Sequence, residues 1–326
     1  MSTTKDELFV DEKYVIHRIK FIVFLIFQIP SIIISIFLFV YLSTHRHVIS
    51  IRPNQGLFIL LLINFCQLTI DMSMVIHFNR FGYVNPSSPI YCTWWTFFEF
   101  SLIVQSEMLM SVISIQRHIF VFQPNLFNSR LYRYLYHHIP LFVFVVYPIV
   151  FYLISIIFYP CDGTQWDYQA NVCGLADCYL VYDKILATLD WSLNNGLPII
   201  VISLANVTLI YRVIRRKRRI NGNIPWRKQR RMTIQLLSIS CLYFFGWLPS
   251  LTIGLIQQLY SSTFLSDFQV TYAFDLMYFI CLLLPWIYFR LYPQFNQWFI
   301  QILFKRFTNT NTVRPINVTF LQSHLH

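Results

Sequence analysis

Five acidic side chains lie inside stretches of sequence that are otherwise almost wholly apolar. They are Asp71, Glu99, Glu107, Asp190 and Asp275. A carboxyl group in such surroundings is costly to keep charged, so each one is expected to hold a cation, carry protons or ions, or make an internal hydrogen bond. For Glu107 we expect the internal hydrogen bond. For the other four acids the sequence does not decide among these three roles.

Composition identifies the medium that surrounds these acids. The chain has 326 residues, of which 56% are hydrophobic and only 12% are charged. So few charges cannot cover so much apolar surface in water, which excludes an ordinary soluble domain. The same figures exclude a disordered chain. We therefore expect a protein whose solvent is mostly lipid.

The apolar residues fall into seven segments, each long enough to cross a bilayer as a helix. The segments are continuously apolar rather than alternating, which favours helices over a β-barrel. The sequence therefore predicts an all-α membrane protein built as a bundle of seven transmembrane helices. The predicted spans are 21–42, 56–77, 94–115, 139–159, 185–213, 232–260 and 270–291.

Basic residues are distributed unequally between the two sides of these segments. One side holds six Lys and Arg residues, whereas the other holds nineteen, ten of them within 212–231. The excess predicts that the second side is cytoplasmic, with the N-terminus outside and the C-terminus inside a plasma-membrane protein. The net charge of +11 is then a collar facing membrane lipids, and we expect no nucleic-acid partner.

Four cysteines fall on the predicted outer side, where disulfides form. They are Cys92, Cys161, Cys173 and Cys178, and four cysteines allow three pairings. No His lies in 161–178, so a zinc site is disfavoured and we expect no metal.

The third segment carries the first of several motifs. Arg117 ends this segment 25 residues after Cys92, and its neighbours are Gln116 and His118. This arrangement is similar to the third helix of the rhodopsin-like G-protein-coupled receptors, with the Asp/Glu-Arg-Tyr motif at its end. The resemblance covers roughly residues 20–300.

Later segments carry further matches in the family's order. Trp247 and Pro249 resemble the Cys-Trp-x-Pro motif of the sixth helix, and Pro198 matches the proline of the fifth. Pro285 and Tyr288 resemble the Asn-Pro-x-x-Tyr motif of the seventh. Prolines inside helices create kinks, so these three are expected hinges and Trp247 the residue that moves with them.

The resemblance implies a fold and a set of partners. A short amphipathic eighth helix follows the bundle, an extracellular ligand biases the bundle from outside, and a heterotrimeric G protein binds inside as the sixth helix swings outward. Arrestin is a further partner if Thr308, Thr310 and Thr312 are phosphorylated. The implied divisions are an extracellular N-terminus, a receptor domain, an eighth helix and a cytoplasmic tail, at 1–20, 21–291, 292–306 and 307–326.

The family also supplies residue roles. Coupling to the G protein falls on a set at the inner end of the bundle: Gln116, Arg117, His118, Asn206 and Tyr288. The ligand is expected between Glu99 and Asp190, above Trp247, with Tyr278 as the hydrogen-bond partner of Glu99. A cationic amine or a basic peptide would suit two carboxylates. Cys92 is expected to pair with Cys173, and Cys178 is the alternative.

Several positions depart from the family pattern, which marks a divergent member. Gln116 and Gln229 stand where acids commonly pair with the arginine, so we expect a weak inactive-state latch and raised basal activity. Thr69 stands at the second-helix position where the family normally has Asp, while Asp71 should face about 200° away from it. Leu284 replaces the Asn of the seventh-helix motif, so a sodium site is doubtful.

The same sequence bears on other classes of function. An opsin needs a lysine in the seventh segment, which has none, so we expect no retinal or other cofactor. No HExxH or GxSxG string occurs, so we expect no enzyme. A transporter or channel subunit remains the alternative, because the intramembrane acids could form an ion path.

Overall fold

The seven apolar segments are seven helices in the structure, a computed structural model. It describes residues 3–47, 52–123, 129–219, 226–260 and 264–308. No strand occurs in these ranges. We name the membrane-crossing helices α1 to α7, and their spans are Tyr14–Thr44, Asn54–Phe81, Pro89–Phe120, Arg130–Ile157, Lys184–Arg212, Leu237–Leu259 and Gln269–Arg290.

Several helices continue beyond their spans. The helix of α1 begins at Thr3 (Thr3–Thr44), that of α3 ends at Phe122 (Pro89–Phe122), and that of α6 begins at Trp226 (Trp226–Leu259). A further helix, α8, follows at Pro293–Thr308. The predicted all-α bundle with a short eighth helix is confirmed.

The third helix lies at the centre of the bundle. In its most apolar stretch 78% of the residues are buried, against 33% for α1 and 28% for α4. Its N-terminus is fixed by Ser88, whose hydroxyl accepts a hydrogen bond from the Tyr91 backbone N–H, and Pro89 occupies the first turn. The central position lets α3 present Glu99 and Arg117 to several other helices at once.

Four of the other helices contain π-helical turns, each of which inserts extra backbone into the helix and changes which side chains face inward. In α2 this turn is Gln67–Asp71, and in α5 it is Asp190–Gly196, directly before Pro198. Similar turns occur in α4 and α7. Acidic residues of α2 and α5 therefore lie at irregular, inward-turned positions.

Two glycines of α6 mark where its backbone approaches its neighbours. A Cβ atom at Gly246 would lie 2.7 Å from Cδ1 of Ile280 in α7, and one at Gly254 would lie 2.8 Å from the indole of Trp191 in α5. Both separations are far shorter than ordinary contacts, so only glycine fits without rearrangement. Pro249 lies between the two glycines.

The eighth helix is attached to the bundle by aromatic side chains. Phe295 is fully buried and its ring lies 5.4 Å from that of Tyr41 in α1. Phe299 packs edge to face against Phe37, with the ring centroids 5.0 Å apart. This apolar face explains why α8 lies against α1 and α7 rather than continuing α7.

Candidate functional site

A cavity of about 250 Å³ lies within the bundle near the end that carries Cys92, which we call the disulfide end. Glu99 from α3, Asp190 from α5 and Trp247 from α6 all contribute to its lining. We call it the core cavity. None of the described residues that line it is Lys, Arg or His, so any charge near neutral pH on this described wall is carried by carboxyl groups.

Glu99 is held by the partner that the family resemblance implies. The hydroxyl of Tyr278 in α7 donates a 2.9 Å hydrogen bond to Oε1 of Glu99, and Nδ2 of Asn171 in turn donates to the Tyr278 hydroxyl at 3.2 Å. The second oxygen of Glu99 is buried, and Asp71 and Trp95 lie within hydrogen-bonding reach of this carboxyl group.

Asp71 lies beside Glu99. It is fully buried, and the two carboxyl groups are close enough to interact electrostatically. Glu99 and Trp95 are the side chains within hydrogen-bonding reach of the Asp71 carboxyl group. Thr69, in contrast, is only half-buried and bonds to its own helix at Phe65. The inward position on this part of α2 therefore belongs to Asp71, as the π-helical turn allows.

Asp190 is surrounded by donors. The hydroxyls of Tyr152 and Tyr179 donate to its two carboxyl oxygens at 2.8 and 3.0 Å, and Nδ2 of Asn194 donates at 2.6 Å. Glu107, one helix away, interacts with it electrostatically. Neither oxygen of Glu107 has a hydrogen-bond partner among the described residues, so the internal hydrogen bond expected for it is not present. Asp190 is thus a fixed acceptor whose position is set by α4, α5 and the loop between them.

A larger cavity of about 770 Å³ opens beside the core cavity and shares Gly174, Ser266 and Val270 with it. Its lining includes Lys20 and Asp275, which form an ion pair at 2.9 Å, the one carboxylate–ammonium pair in the described part of the chain. The two cavities therefore adjoin along these three residues. Asp275 is engaged by α1 and lies outside the core cavity.

The loop between α4 and α5 is fixed by two disulfides. Cys92 at the start of α3 pairs with Cys173, and Cys161 pairs with Cys178. The structure thus has the first of the two partners considered for Cys92. The bridges hold Val172, Gly174 and Leu175 over the core cavity, where all three line it.

At the opposite end of the bundle, which we call the arginine end, Arg117 is only 5% exposed. Its Nε and Nη2 atoms have no hydrogen-bond partner among the described residues. Tyr288 and Tyr292 of the α7–α8 junction are near enough to interact with its charge. No described acid pairs with Arg117, and the side chain of Gln229 lies outside what the structure describes.

Gln116 faces away from Arg117. Its Nε2 donates to the backbone carbonyl oxygens of Tyr136 and His137, at 3.1 and 3.2 Å. Nδ1 of His137 lies 3.0 Å from Oε1 of Gln116, and its Nε2 lies 2.8 Å from Oε1 of Gln55. This network joins the ends of α2, α3 and α4.

The remaining coupling candidates belong to two separate groups. His118 contacts the Ala205 carbonyl oxygen, and Asn206 donates to the Ser240 hydroxyl at 2.8 Å, which ties α5 to α3 and α6. Tyr288 donates instead to the Leu57 carbonyl oxygen in α2 at 2.9 Å. Asn206 and Tyr288 are therefore not brought together.

The prolines that were expected hinges all lie in transmembrane helices. Pro198 follows the π-helical turn of α5, and Pro249 and Pro285 interrupt the backbone ladders of α6 and α7. Trp247, 4% exposed, lies two residues before Pro249 at the base of the core cavity. The aromatic side chain that would touch a ligand is thus adjacent to an irregular point of α6.

Residues 57–288 match the family model described as "7 transmembrane receptor (rhodopsin family)". The match covers most of the chain, including α3 with Arg117 and α7 through Tyr288. The chain belongs to the rhodopsin family of seven-transmembrane receptors. No curated protein sequence matches it.

Some side chains of this receptor's two sites were absent from the sequence expectations. Tyr152 and Tyr179, which hold Asp190, are two among twenty tyrosines and carry no local pattern. His137 and Gln55 are equally unmarked. The available signal was Gln116 itself. An amide cannot form the ion pair with Arg117 that an acid at this position would form, so it must find uncharged donors and acceptors nearby.

Proposed function

We propose that this receptor binds a cationic ligand, a biogenic amine or a basic peptide, in the core cavity. The proposal rests mainly on one observation: Glu99 and Asp190 line the same cavity, and no described basic residue shares it. A ligand ammonium group in this cavity would meet the carboxyl group of Glu99. Charge-assisted hydrogen bonds of this kind are about twice as strong as neutral ones.

The neighbour of Glu99 strengthens the proposal. Two buried carboxyl groups as close as Asp71 and Glu99 repel each other when both are charged, and a bound cation relieves that repulsion. A bound anion would instead add to the repulsion between the charged groups. The cavity therefore favours cations over anions.

The proposed orientation places the disulfide end outside the cell and the arginine end in the cytoplasm of a plasma-membrane protein. The support is the excess of Lys and Arg on the arginine side of the chain. The N-terminus is then extracellular, and the tail after α8 is cytoplasmic. The disulfides lie on the oxidising side, as required for their persistence.

We infer that the signal reaches a heterotrimeric G protein through an outward swing of α6. A ligand above Trp247 acts beside Pro249, where the helix lacks one backbone hydrogen bond. Arg117, which no described acid pairs, would then meet the G protein. Arrestin and anionic lipids are further proposed partners of this side; Thr310 and Thr312 lie outside the described residues.

Basal G-protein activation in cells, measured across a panel of Gα subtypes, tests coupling. We expect activity above mock transfection, and we expect Arg117→Glu at matched surface expression to abolish it. If neither the wild type nor Arg117→Glu activates any G protein above mock, the predictions of a weak inactive-state latch and of coupling without agonist are contradicted. The Gα subtype that responds then serves for ligand screening.

Amines and basic peptides screened with that readout test the ligand class. Glu99→Gln should reduce the potency of an active compound by about 30-fold or more, since truncating one member of a buried charge pair costs about 2–5 kcal/mol. Asp162→Asn, which changes an exposed loop acid outside both the core cavity and the larger cavity, is the matched control. Activation by anionic or neutral compounds, unaffected by Glu99→Gln, would contradict the proposal.

The transporter or channel alternative keeps one specific observation in its favour. The acids of the core come in two interacting pairs, Asp71 with Glu99 and Glu107 with Asp190, and paired acids are a feature of ion paths. Purified protein in proteoliposomes distinguishes the two functions. Ion flux in proteoliposomes without any G-protein activation in cells would show that the protein is a transporter or channel subunit and not a signalling receptor.

A further inference from the structure

A separate cavity of about 330 Å³ lies at the disulfide end, on the flank of the bundle between α3 and α4. The loop between α4 and α5 forms its third side through the Cys161–Cys178 disulfide. It shares no described lining residue with the core cavity or with the larger cavity beside that one. We call it the flank cavity.

Asp177 is the decisive side chain in the flank cavity. It lines the cavity while being only 2% exposed. Oδ1 accepts a 3.0 Å hydrogen bond from the hydroxyl of Thr96, but Oδ2 has no hydrogen-bond partner among the described residues. A buried carboxyl oxygen without a donor is unfavourable, and a bound cation or donor group would satisfy it.

Burial raises the pKa of Asp177 to about 7, and the charge of Asp190 acts in the same direction, although the Thr96 hydroxyl opposes the shift. At neutral pH the carboxyl is thus present in both forms. A cation that binds beside it favours the ionised form. The protonation state and the occupancy of the cavity are therefore linked.

The other walls of the flank cavity are aromatic. Trp94 from α3, Tyr159 after α4 and Trp166 from the loop all line it, and Asp162 adds a second, exposed carboxylate. No Lys, Arg or His is among its described lining residues. Aromatic faces combined with carboxylates attract ammonium groups, including quaternary ones that cannot donate hydrogen bonds.

We propose that the flank cavity binds a substituted ammonium group, held by Asp177 and enclosed by Trp94, Tyr159 and Trp166. The cavity lies where the span of α3 begins at Pro89 and that of α4 ends at Ile157, so in a bilayer that matches these spans it would face the lipid headgroups. The ammonium can come from a phospholipid headgroup or from a soluble amine. This site shares no described lining residue with the core cavity, where the other proposed ligand binds.

Thermal unfolding of the purified full-length protein in detergent tests the site, with choline chloride as the probe and sodium chloride at equal ionic strength as the reference. We expect choline at tenfold its dissociation constant to raise the melting temperature by about 3 °C, in a saturable manner. Asp177→Asn should remove that shift, because the amide keeps the acceptor for Thr96 but lacks the charge. Asp167→Asn, an exposed acid of the same loop outside this cavity, should retain it.

A second variant covers the case in which Asp177→Asn does not fold. Trp94 is 45% exposed, so Trp94→Ala should fold and should weaken choline binding by removing one aromatic face. If choline raises the melting temperature of this variant with unchanged size and midpoint, the proposal that aromatic side chains enclose the ammonium group is overturned. An unchanged shift in Asp177→Asn would overturn the role of the carboxylate.

Lipid retention identifies the source of the ammonium. Native mass spectrometry of protein released from mixed phosphatidylcholine and phosphatidylglycerol membranes should show retained phosphatidylcholine that Asp177→Asn loses, if the headgroup is the ligand. A choline shift without this retention assigns the site to soluble amines. The absence of both a saturable choline shift and retained phosphatidylcholine would overturn the proposal, whatever the result of the G-protein assays.

Discussion

Nδ1 of His137 lies 3.0 Å from Oε1 of Gln116, so the residue before the arginine of α3 is bound to α4 rather than to Arg117. In addition, Nε2 of Gln116 donates to two backbone carbonyl oxygens of the same segment. An amide suits this site because it offers both a donor and an acceptor. The arginine is left without an acidic neighbour on its own helix.

Gln116→Glu should therefore lower basal G-protein activation at least twofold. A carboxylate cannot donate to the carbonyl oxygens of Tyr136 and His137, and its repulsion from them favours a turn toward Arg117. The added ion pair would stabilise the inactive arrangement. The measurement is basal activity at matched surface expression.

Gln123→Glu is the control for that variant, because Gln123 is an exposed residue at the C-terminal end of α3. It adds the same charge at the same end of the bundle without access to the His137 network. Basal activity that stays unchanged in Gln116→Glu, or falls equally in both variants, would contradict the latch argument.

Tyr179→Phe should destabilise the receptor by about 1.5–3 kcal/mol, the usual contribution of a hydrogen bond to a charged or strongly polar group. The change removes the hydroxyl that donates to Oδ2 of Asp190 and leaves that buried oxygen unsatisfied. Thermal unfolding of purified protein measures the loss. Tyr182→Phe is the control, since Tyr182 is 67% exposed, and an equal effect of both would mean that Asp190 gains nothing from Tyr179.

Loss of the Cys92–Cys173 disulfide should cost more stability than loss of Cys161–Cys178. The first closes a sequence separation of 81 residues and the second one of 17, and the chain-entropy model gives about 4.7 kcal/mol for a 100-residue loop and about 3 kcal/mol for a 15-residue loop. Paired Cys→Ser variants and their melting temperatures test this order.

Cys241→Ser is the reference for those variants, because Cys241 is unpaired. It controls for the substitution itself. The reverse order, or a loss no larger than that of the reference, would show that native packing rather than loop closure dominates at these bridges.

Asp177 should make the stability of the receptor depend on pH. Its pKa is about 7 in the folded protein against an ordinary value of 3.8, so the folded state binds the proton more tightly. Stability from this group is complete below the ordinary pKa and is lost as pH rises through about 7. The window is therefore about pH 4 to 7.

Melting temperatures of the wild type and of Asp177→Asn in sodium buffers between pH 5 and pH 8 test this linkage. We expect the difference between the two proteins to move in favour of the variant as pH rises, because only the wild type acquires a buried charge. Parallel curves across this range would contradict a titration of Asp177.

The sequence was sufficient for the bundle and for contacts made along straight helices. Seven long apolar runs can satisfy their backbone only as helices, so the fold followed from length and composition. Glu99 and Tyr278 were matched through the family pattern, and their hydrogen bond joins regular parts of α3 and α7. Regular helical spacing suffices for such pairs.

Contacts that depend on irregular backbone could not be obtained in this way. Asp71 faces inward on a π-helical turn of α2, and a pattern of 3.6 residues per turn gives no sign of that turn. Asp177 is buried because the loop folds back under two disulfides, which a loop sequence rich in polar residues does not indicate. The flank cavity was therefore unforeseen.

The close approach of α6 to α7 at Gly246 provides a contact point about which α6 can tilt as a rigid helix. From Gly246 to the start of the helix at Trp226 is 20 residues, or about 30 Å at 1.5 Å per residue. A tilt of about 10° around that point displaces the far end by about 5 Å, while Trp247, next to the contact at Gly246, hardly moves. In the proposed signalling mechanism, a small displacement of the indole by a ligand would therefore accompany a large opening at the other face of the membrane.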